Sequence, residues 1–83
     1  MSVYEKIEAM KRHELWGIQD AEVRNVVTVR WYNPCALNPG KLVTYSPGDV
    51  VTIDEPRPEG AMVYASGQPQ MFADWRHLFA MFA

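Results

Sequence analysis

The stretch from Lys41 to Ile53, KLVTYSPGDVVTI, constrains this chain more than any other, because two β-forming runs flank its strongest turn signal. Leu42-Val43-Thr44-Tyr45 and Val50-Val51-Thr52-Ile53 are rich in β-branched and aromatic residues. Between them Ser46-Pro47-Gly48-Asp49 supplies a proline that fixes φ and a glycine that admits positive φ. The pattern predicts a hairpin closed by these four loop residues. Ala21 to Tyr32 and Ala61 to Ala65 also read as strands, so the hairpin is expected at the centre of a small antiparallel sheet.

Helices are expected on both flanks. Ser2 and Glu5 have the spacing of a capping box, opening a helix that runs to about Leu15 or Trp16 with Gly17 as its stop. Val3, Tyr4, Ile7, Met10 and Leu15 share one arc of that helix, and Glu5, Glu8, Ala9 and Arg12 lie on or near the other side. Lys11 and Glu14 interrupt the apolar arc, which suits packing on a sheet edge or on another chain. At the other end Met71, Phe72, Trp75, Leu78, Phe79 and Phe82 line up on a helix over residues 71–82, with Asp74, Arg76 and His77 turned to solvent. That stripe reads first as core and second as an interface.

Between the helices, AEVRNVVTVRWY (21–32) alternates Val23, Val27, Val29 and Trp31 against Glu22, Arg24, Thr28 and Arg30. Asn25 and Val26 break the alternation, which predicts a bulge. Residues 33–40, with two Asn-Pro pairs and a Pro-Gly, read as a projecting loop. Residues 54–60, with Pro56 and Pro58, read as an extended, solvated connection.

The expected architecture is α+β and a single domain over residues 1–83: a helix at 1–17, a β-module at 21–66 and a short helix at 71–82. The module is expected to hold four or five antiparallel strands in a sheet or partly open barrel. Its core is expected to contain Ile7, Val27, Val29, Trp31, Val43, Tyr45, Val51, Ile53, Val63, Trp75 and Phe79.

Composition narrows the function classes. Of 83 residues 48% are hydrophobic and 22% charged, enough apolar material for one core and too little charge for a disordered chain. A domain of this size buries only about 60–65% of its unfolded surface, which leaves little material for a deep catalytic cleft. A net charge of -2 disfavours the positive field that phosphate backbones require, so nucleic acid is not the expected partner. No apolar run approaches the ~20 residues of a membrane-spanning helix. Cys35 is the one cysteine, which permits no internal disulfide, and no signal stretch follows Met1. A cytoplasmic location is expected.

Residue types capable of chemistry are present without the spacing that chemistry needs. His13 and His77 fall on different helices and Cys35 in a loop, and there is no C-x-x-C, H-E-x-x-H or glycine-rich phosphate loop. Asp49, Asp54, Glu55 and Glu59 cluster in sequence, but Pro56-Arg57-Pro58 interrupts any ligand loop. Arg24, Arg30, Trp31 and Tyr32 suggest a strand face for single-stranded nucleic acid, yet alternation sets Trp31 opposite both arginines. No catalytic residue, metal site or cofactor is expected.

From Val27 to Gly67 the order is apolar strand, polar loop, G-K-L-V-T-Y, S-P-G-D, V-V-T-I-D, then a further short apolar strand before glycine. This order resembles the short β-modules of small bacteriophage proteins, which are similar to Src-homology-3-type barrels. The resemblance covers about half the chain, includes neither helix and carries over no site residue. It implies a phage or bacterial source and a non-enzymatic role.

The leading expectation is therefore a non-catalytic protein-binding module, a small phage-encoded effector that binds and inhibits or redirects a host protein in the host cytoplasm. A structural or assembly subunit that binds its own copies is the second, and a nucleic-acid-binding small barrel the third. The expected contact surface is a rim formed by Tyr32, Leu37 and the Pro56-Arg57-Pro58 segment, with Asp54, Glu55 and Glu59 giving it a negative charge that favours a basic surface. Tyr4 and Met10 on the first helix are the alternative.

Overall fold

The computed structural model describes residues 1–31 and 40–83. Its elements in order are α1 (Val3–Lys11), β1 (Ile18–Glu22), β2 (Val27–Trp31), β3 (Lys41–Tyr45), β4 (Val50–Asp54), β5 (Gly60–Ala65), β6 (Met71–Asp74) and α2 (Trp75–Phe82). The chain is a small α+β domain with a four-stranded antiparallel sheet in the order β1-β4-β5-β6 and a two-stranded sheet β2-β3. Where four or five strands in one sheet or partly open barrel were expected, the described residues form six strands in two sheets.

The hairpin expected between the runs at 42–45 and 50–53 is not formed, because the two runs belong to different sheets. β3 and β4 do not pair with each other; β2 pairs with β3, and β1 with β4. One register runs from Ala21 to Trp31, since Glu22 faces Val50 and Val27 faces Tyr45, equally far along each arm, and it shifts by one residue between Ile18 and Ala21. Residues 18–31 and 41–54 are therefore the two arms of one long hairpin, and each arm bends midway. Ser46 to Asp49 forms the corner of the second arm: the Asp49 amide donates to the Ser46 carbonyl at 3.0 Å, the Ser46 amide to Asp49 Oδ2 at 2.9 Å, and Gly48 takes φ 95°. Val23 faces both Gly48 and Asp49, accepting from the Gly48 amide and donating to the Asp49 carbonyl, so the bulge predicted near Asn25 falls on the opposite arm.

In the first arm the bend at Arg24–Val26 separates β1 from β2, where a single strand was expected. The donors freed there cap α2. The Arg24 and Asn25 amides donate to the Met81 carbonyl at 2.8 and 3.1 Å, and Asn25 Nδ2 donates to the Ala80 and Ala83 carbonyls at 2.9 and 3.1 Å. These four bonds satisfy carbonyls that a helix C-terminus otherwise leaves to water.

The capping box at Ser2 and Glu5 is present, with the Glu5 amide donating to Ser2 Oγ at 3.1 Å. The helix then stops at Lys11, well before Gly17. The Glu14 amide donates to the Ala9 carbonyl and the His13 amide to the Met10 carbonyl, a Schellman closure with His13 at φ 61° in the position glycine usually takes. Ala9 is buried, against expectation, because α1 is flanked by both β1 and α2.

At the other end Met71–Asp74 is a strand instead of the first turn of a helix. It pairs with β5 through Val63–Met71 and Met62–Phe72, and Asp74 then caps α2 by accepting from the His77 amide at 2.8 Å. The connection at 55–59 is tied down where a solvated one was expected. Pro56 is buried, the Trp75 indole N–H donates to the Pro58 carbonyl at 3.1 Å, and the Trp75 amide donates to the Glu59 carbonyl at 3.1 Å.

The core joins Ile7 and Met10 of α1, the inward residues of both sheets, and Trp75, Leu78, Met81 and Phe82 of α2. Of the expected core, Phe79 is only half-buried, its ring 5.1 Å from that of Tyr4, and the Trp31 side chain lies outside the description. Tyr45 is fully enclosed as expected, yet its hydroxyl finds no hydrogen-bond partner, and burial pushes its pKa up to about 12. Tyr45→Phe removes a desolvated, unpaired hydroxyl and keeps the ring. We expect unfolding free energy unchanged or raised by about 1 kcal/mol, read from urea denaturation; a loss above about 1 kcal/mol would show that the hydroxyl is bonded.

Candidate functional site

The four-stranded sheet has two chemically different faces, and alternation decides which residues stand on each. Ile18, Ala21, Val51, Ile53, Ala61, Val63, Met71 and Ala73 point into the core. The opposite face carries Glu22 and Val50 as one cross-strand pair, Thr52 and Tyr64 as another, and Asp54, Met62 and Phe72 as a row across three strands. Neither helix covers it, because the buried residues of α1 and α2 join the core on the inner side. An antiparallel sheet commonly presents polar residues to water on its outer face. Here that face holds Met62, Tyr64 and Phe72, each half-buried, and Val50, 51% exposed.

At the β1 end of the face is a cleft of about 360 Å³ lined by Trp16, Gly17, Ile18, Gln19, Thr52, Ile53 and Asp54. Trp16 stands beside it with 69% of its surface in water. The early stop of α1 sets this position, since the chain leaves the helix before Trp16 instead of burying it.

Asp54 is the electrostatic feature of the cleft. Its Oδ1 is enclosed and accepts no hydrogen bond among the described residues. Burial, and then the negative charge of Glu55, push its carboxyl pKa up, while the Tyr64 hydroxyl works against them. Tyr64 Oη accepts from Gln70 Nε2 at 2.9 Å, which leaves its own proton for the two carboxylates. An acid with a raised native pKa binds its proton more tightly folded than unfolded. Asp54 therefore imposes a penalty above its native pKa that disappears below the unfolded carboxylate range. Asp54→Asn should raise the unfolding midpoint at neutral pH and lose that advantage as pH falls through the carboxylate range. An equal gain at both ends of a pH series would assign the effect to something other than charge.

The surface expected from sequence is only partly assembled. Tyr32 and Leu37 lie outside the described residues. Glu55, Arg57 and Glu59 are exposed on the β4–β5 connection, and of these Glu55 adjoins the Asp54–Tyr64 group. Along the hairpin, Asp54 stands at the end opposite Trp31 and Lys41. Tyr4 is 38% exposed and rests on Phe79, on the helical side of the domain. Met10 is fully buried and belongs to the core, because α2 covers the arc that was expected to face a partner.

Trp16, Met62 and Tyr64 were not singled out from sequence, and Phe72 was assigned to the apolar stripe of a helix. For Met62 and Tyr64 the signal was available, since the small and branched Ala61, Val63 and Ala65 alternate with them. A second hollow of about 550 Å³ is lined by Ser2, Val3, Tyr4, Glu22, Arg24, Phe82 and Ala83, an acid and a base among them, and has no unpartnered polar atom aimed into it. Among the described residues no three His, Cys, Asp or Glu side chains are disposed to hold a metal ion, and no helix is long and apolar enough to cross a membrane. Comparison with protein-family profiles, with curated proteins and with solved structures returns no match.

Proposed function

We propose that this chain is a non-catalytic protein-binding module that uses the outer face of its four-stranded sheet. The observation that carries this reading is the placement of Trp16, Val50, Met62, Tyr64 and Phe72 on the solvent side of a sheet whose other side already holds a complete core. Exposed aromatic and apolar groups gathered on one rigid element supply the anchor contacts of protein interfaces. The hairpin that bends to serve two sheets supports a small-barrel reading of the strand module, since strands that switch sheets turn their corners at bends and bulges. With the sequence resemblance, this favours a small phage-encoded effector acting on a host protein.

The test is retention of a protein from a lysate of the source cells by the immobilised chain. Trp16→Ala and Val50→Lys alter side chains that are mostly in water, so both variants should keep the wild-type melting temperature and lose the retained protein. If neither variant loses it, another surface does the binding. If nothing is retained except nucleic acid, through contacts that weaken steeply with salt, the reading is wrong.

A further inference from the structure

The charges of this domain are sorted by sheet, and that sorting says what kind of partner the outer face fits. The strands β1, β4, β5 and β6 contain Asp20, Glu22, Asp54 and Asp74 and not one lysine, arginine or histidine. Asp74 is already engaged by the His77 amide and imidazole and by Arg76. Asp20, Glu22, Asp54 and neighbouring Glu55 form no ion pair among the described residues. The bases lie elsewhere, on the two helices, at the bend, on β2 and β3 and at Arg57.

We propose that the occupant of this face is a basic segment of a partner protein, with an arginine or lysine side chain entering the cleft between Trp16 and Asp54 and apolar neighbours covering Met62, Tyr64 and Phe72. The inference rests on the protein-binding reading and specifies its partner. The cleft suits a cation in three respects. Asp54 lines the cleft and has no ion-pair partner among the described residues, which a guanidinium or ammonium group provides. Glu55 beside it adds a second negative charge that only a cation offsets. The Trp16 indole at the mouth offers a π-face to the same cation. Two such faces from copies of this chain would set acids against acids with no base to relieve them, and a nucleic-acid phosphate would meet the same repulsion.

The test uses the acetylated, amidated hexapeptide Leu-Arg-Leu-Arg-Leu-Arg and its counterpart with citrulline, the neutral isostere, at the arginine positions. Binding is followed by two-dimensional NMR of the whole chain, with the Trp16 indole resonance identified through Trp16→Phe. The arginine peptide should shift the Trp16 indole and the amides of Thr52, Asp54, Met62, Tyr64 and Phe72. The citrulline peptide should bind at least about tenfold more weakly, and Asp54→Asn should remove most of that difference. The ionisable groups facing Asp54 are Glu55 beside it and Tyr64 on β5, while Trp16, Gly17 and Gln19 bring no charge from the β1 side. Affinity for the arginine peptide should accordingly fall as pH is lowered through the raised range of Asp54. Equal binding of the two peptides, shifts confined to β2 and β3, or no binding at about 1 mM overturns the proposal. So does concentration-dependent self-association that moves the same resonances without peptide. If the proposal fails while Trp16→Ala and Val50→Lys still abolish protein retention, the face binds a partner of other chemistry. If those variants also retain the protein, the protein-binding reading of this face falls with it.

Discussion

Replacing Gly60 with alanine should destabilise the domain by about 3 kcal/mol or more, the largest effect we expect from adding a single methyl group. A Cβ at this position would fall inside the carbonyl oxygen of Ala73 and reach within 2.7 Å of Asp74 Cα and 2.8 Å of the Ala73 carbonyl carbon. These atoms belong to the backbone of β6, which no rotamer change can clear, so β5 and β6 must separate. Separation strains the pairings of Gly60 with Asp74 and Ala61 with Ala73, and it disturbs the bond from the Arg57 amide to the Gly60 carbonyl at 2.7 Å. It also moves Asp74, the N-cap of α2. In a domain of this size each kcal/mol is worth about 4–8 °C in melting temperature, so a drop of at least about 12 °C is expected. Gly67→Ala is the control: nothing lies within 4 Å of its new Cβ, and only the positive φ of 75° resists it, at about 1 kcal/mol. If the two variants melt together, the close approach at Gly60 relaxes without cost and the argument fails.

Phe82→Ala should cost about 3–5 kcal/mol by urea denaturation. Phe82 is 2% exposed, beside Leu78 and Met81, which are fully buried. At eight residues α2 is too short to be stable alone, so its helical state depends on this packed face and on the caps from Arg24 and Asn25. A ring removed from the middle of that contact leaves a cavity the clamped helix cannot easily close. The variant also separates two uses of the C-terminal aromatic stripe. A stripe held in reserve for a partner would lose binding and keep its melting temperature, whereas a core stripe loses stability. A change below about 1 kcal/mol would show that Phe82 is not core.

The stripe also shows where sequence reading stops. The i, i+3, i+4 spacing of Trp75, Leu78, Phe79 and Phe82 correctly identified a helix, but Met71 and Phe72 fit that wheel and a strand equally well. Their state was decided by β5, whose edge offers Met71–Asp74 a ladder. In the same way Glu14 and Leu15 extend the helical pattern of α1, but His13 adopts a left-handed conformation that its side chain does not advertise. Trp16 was freed by that stop, and with it the mouth of the cleft. Half of the site was therefore illegible, because it depends on where a helix ends, whereas the outward alternation of Met62 and Tyr64 lay open in the sequence.

What the sequence by itself determined was local: the capping box at Ser2, the strand runs around Val29, Val43, Val51 and Val63, the turn at Ser46–Asp49, and the amphipathic end of the chain. Each follows from side-chain and backbone preferences that act within a few residues. The tertiary structure alone decided that the Ser46–Asp49 turn is a corner within one arm of a bent hairpin, because a turn looks the same from within whichever strands its neighbours pair with. It also decided that four strands without a basic residue stand side by side, with Glu22 and Asp54 on their outer face. Strand order is fixed by which apolar faces bury one another across long separations in sequence, and no window of neighbouring residues contains that information.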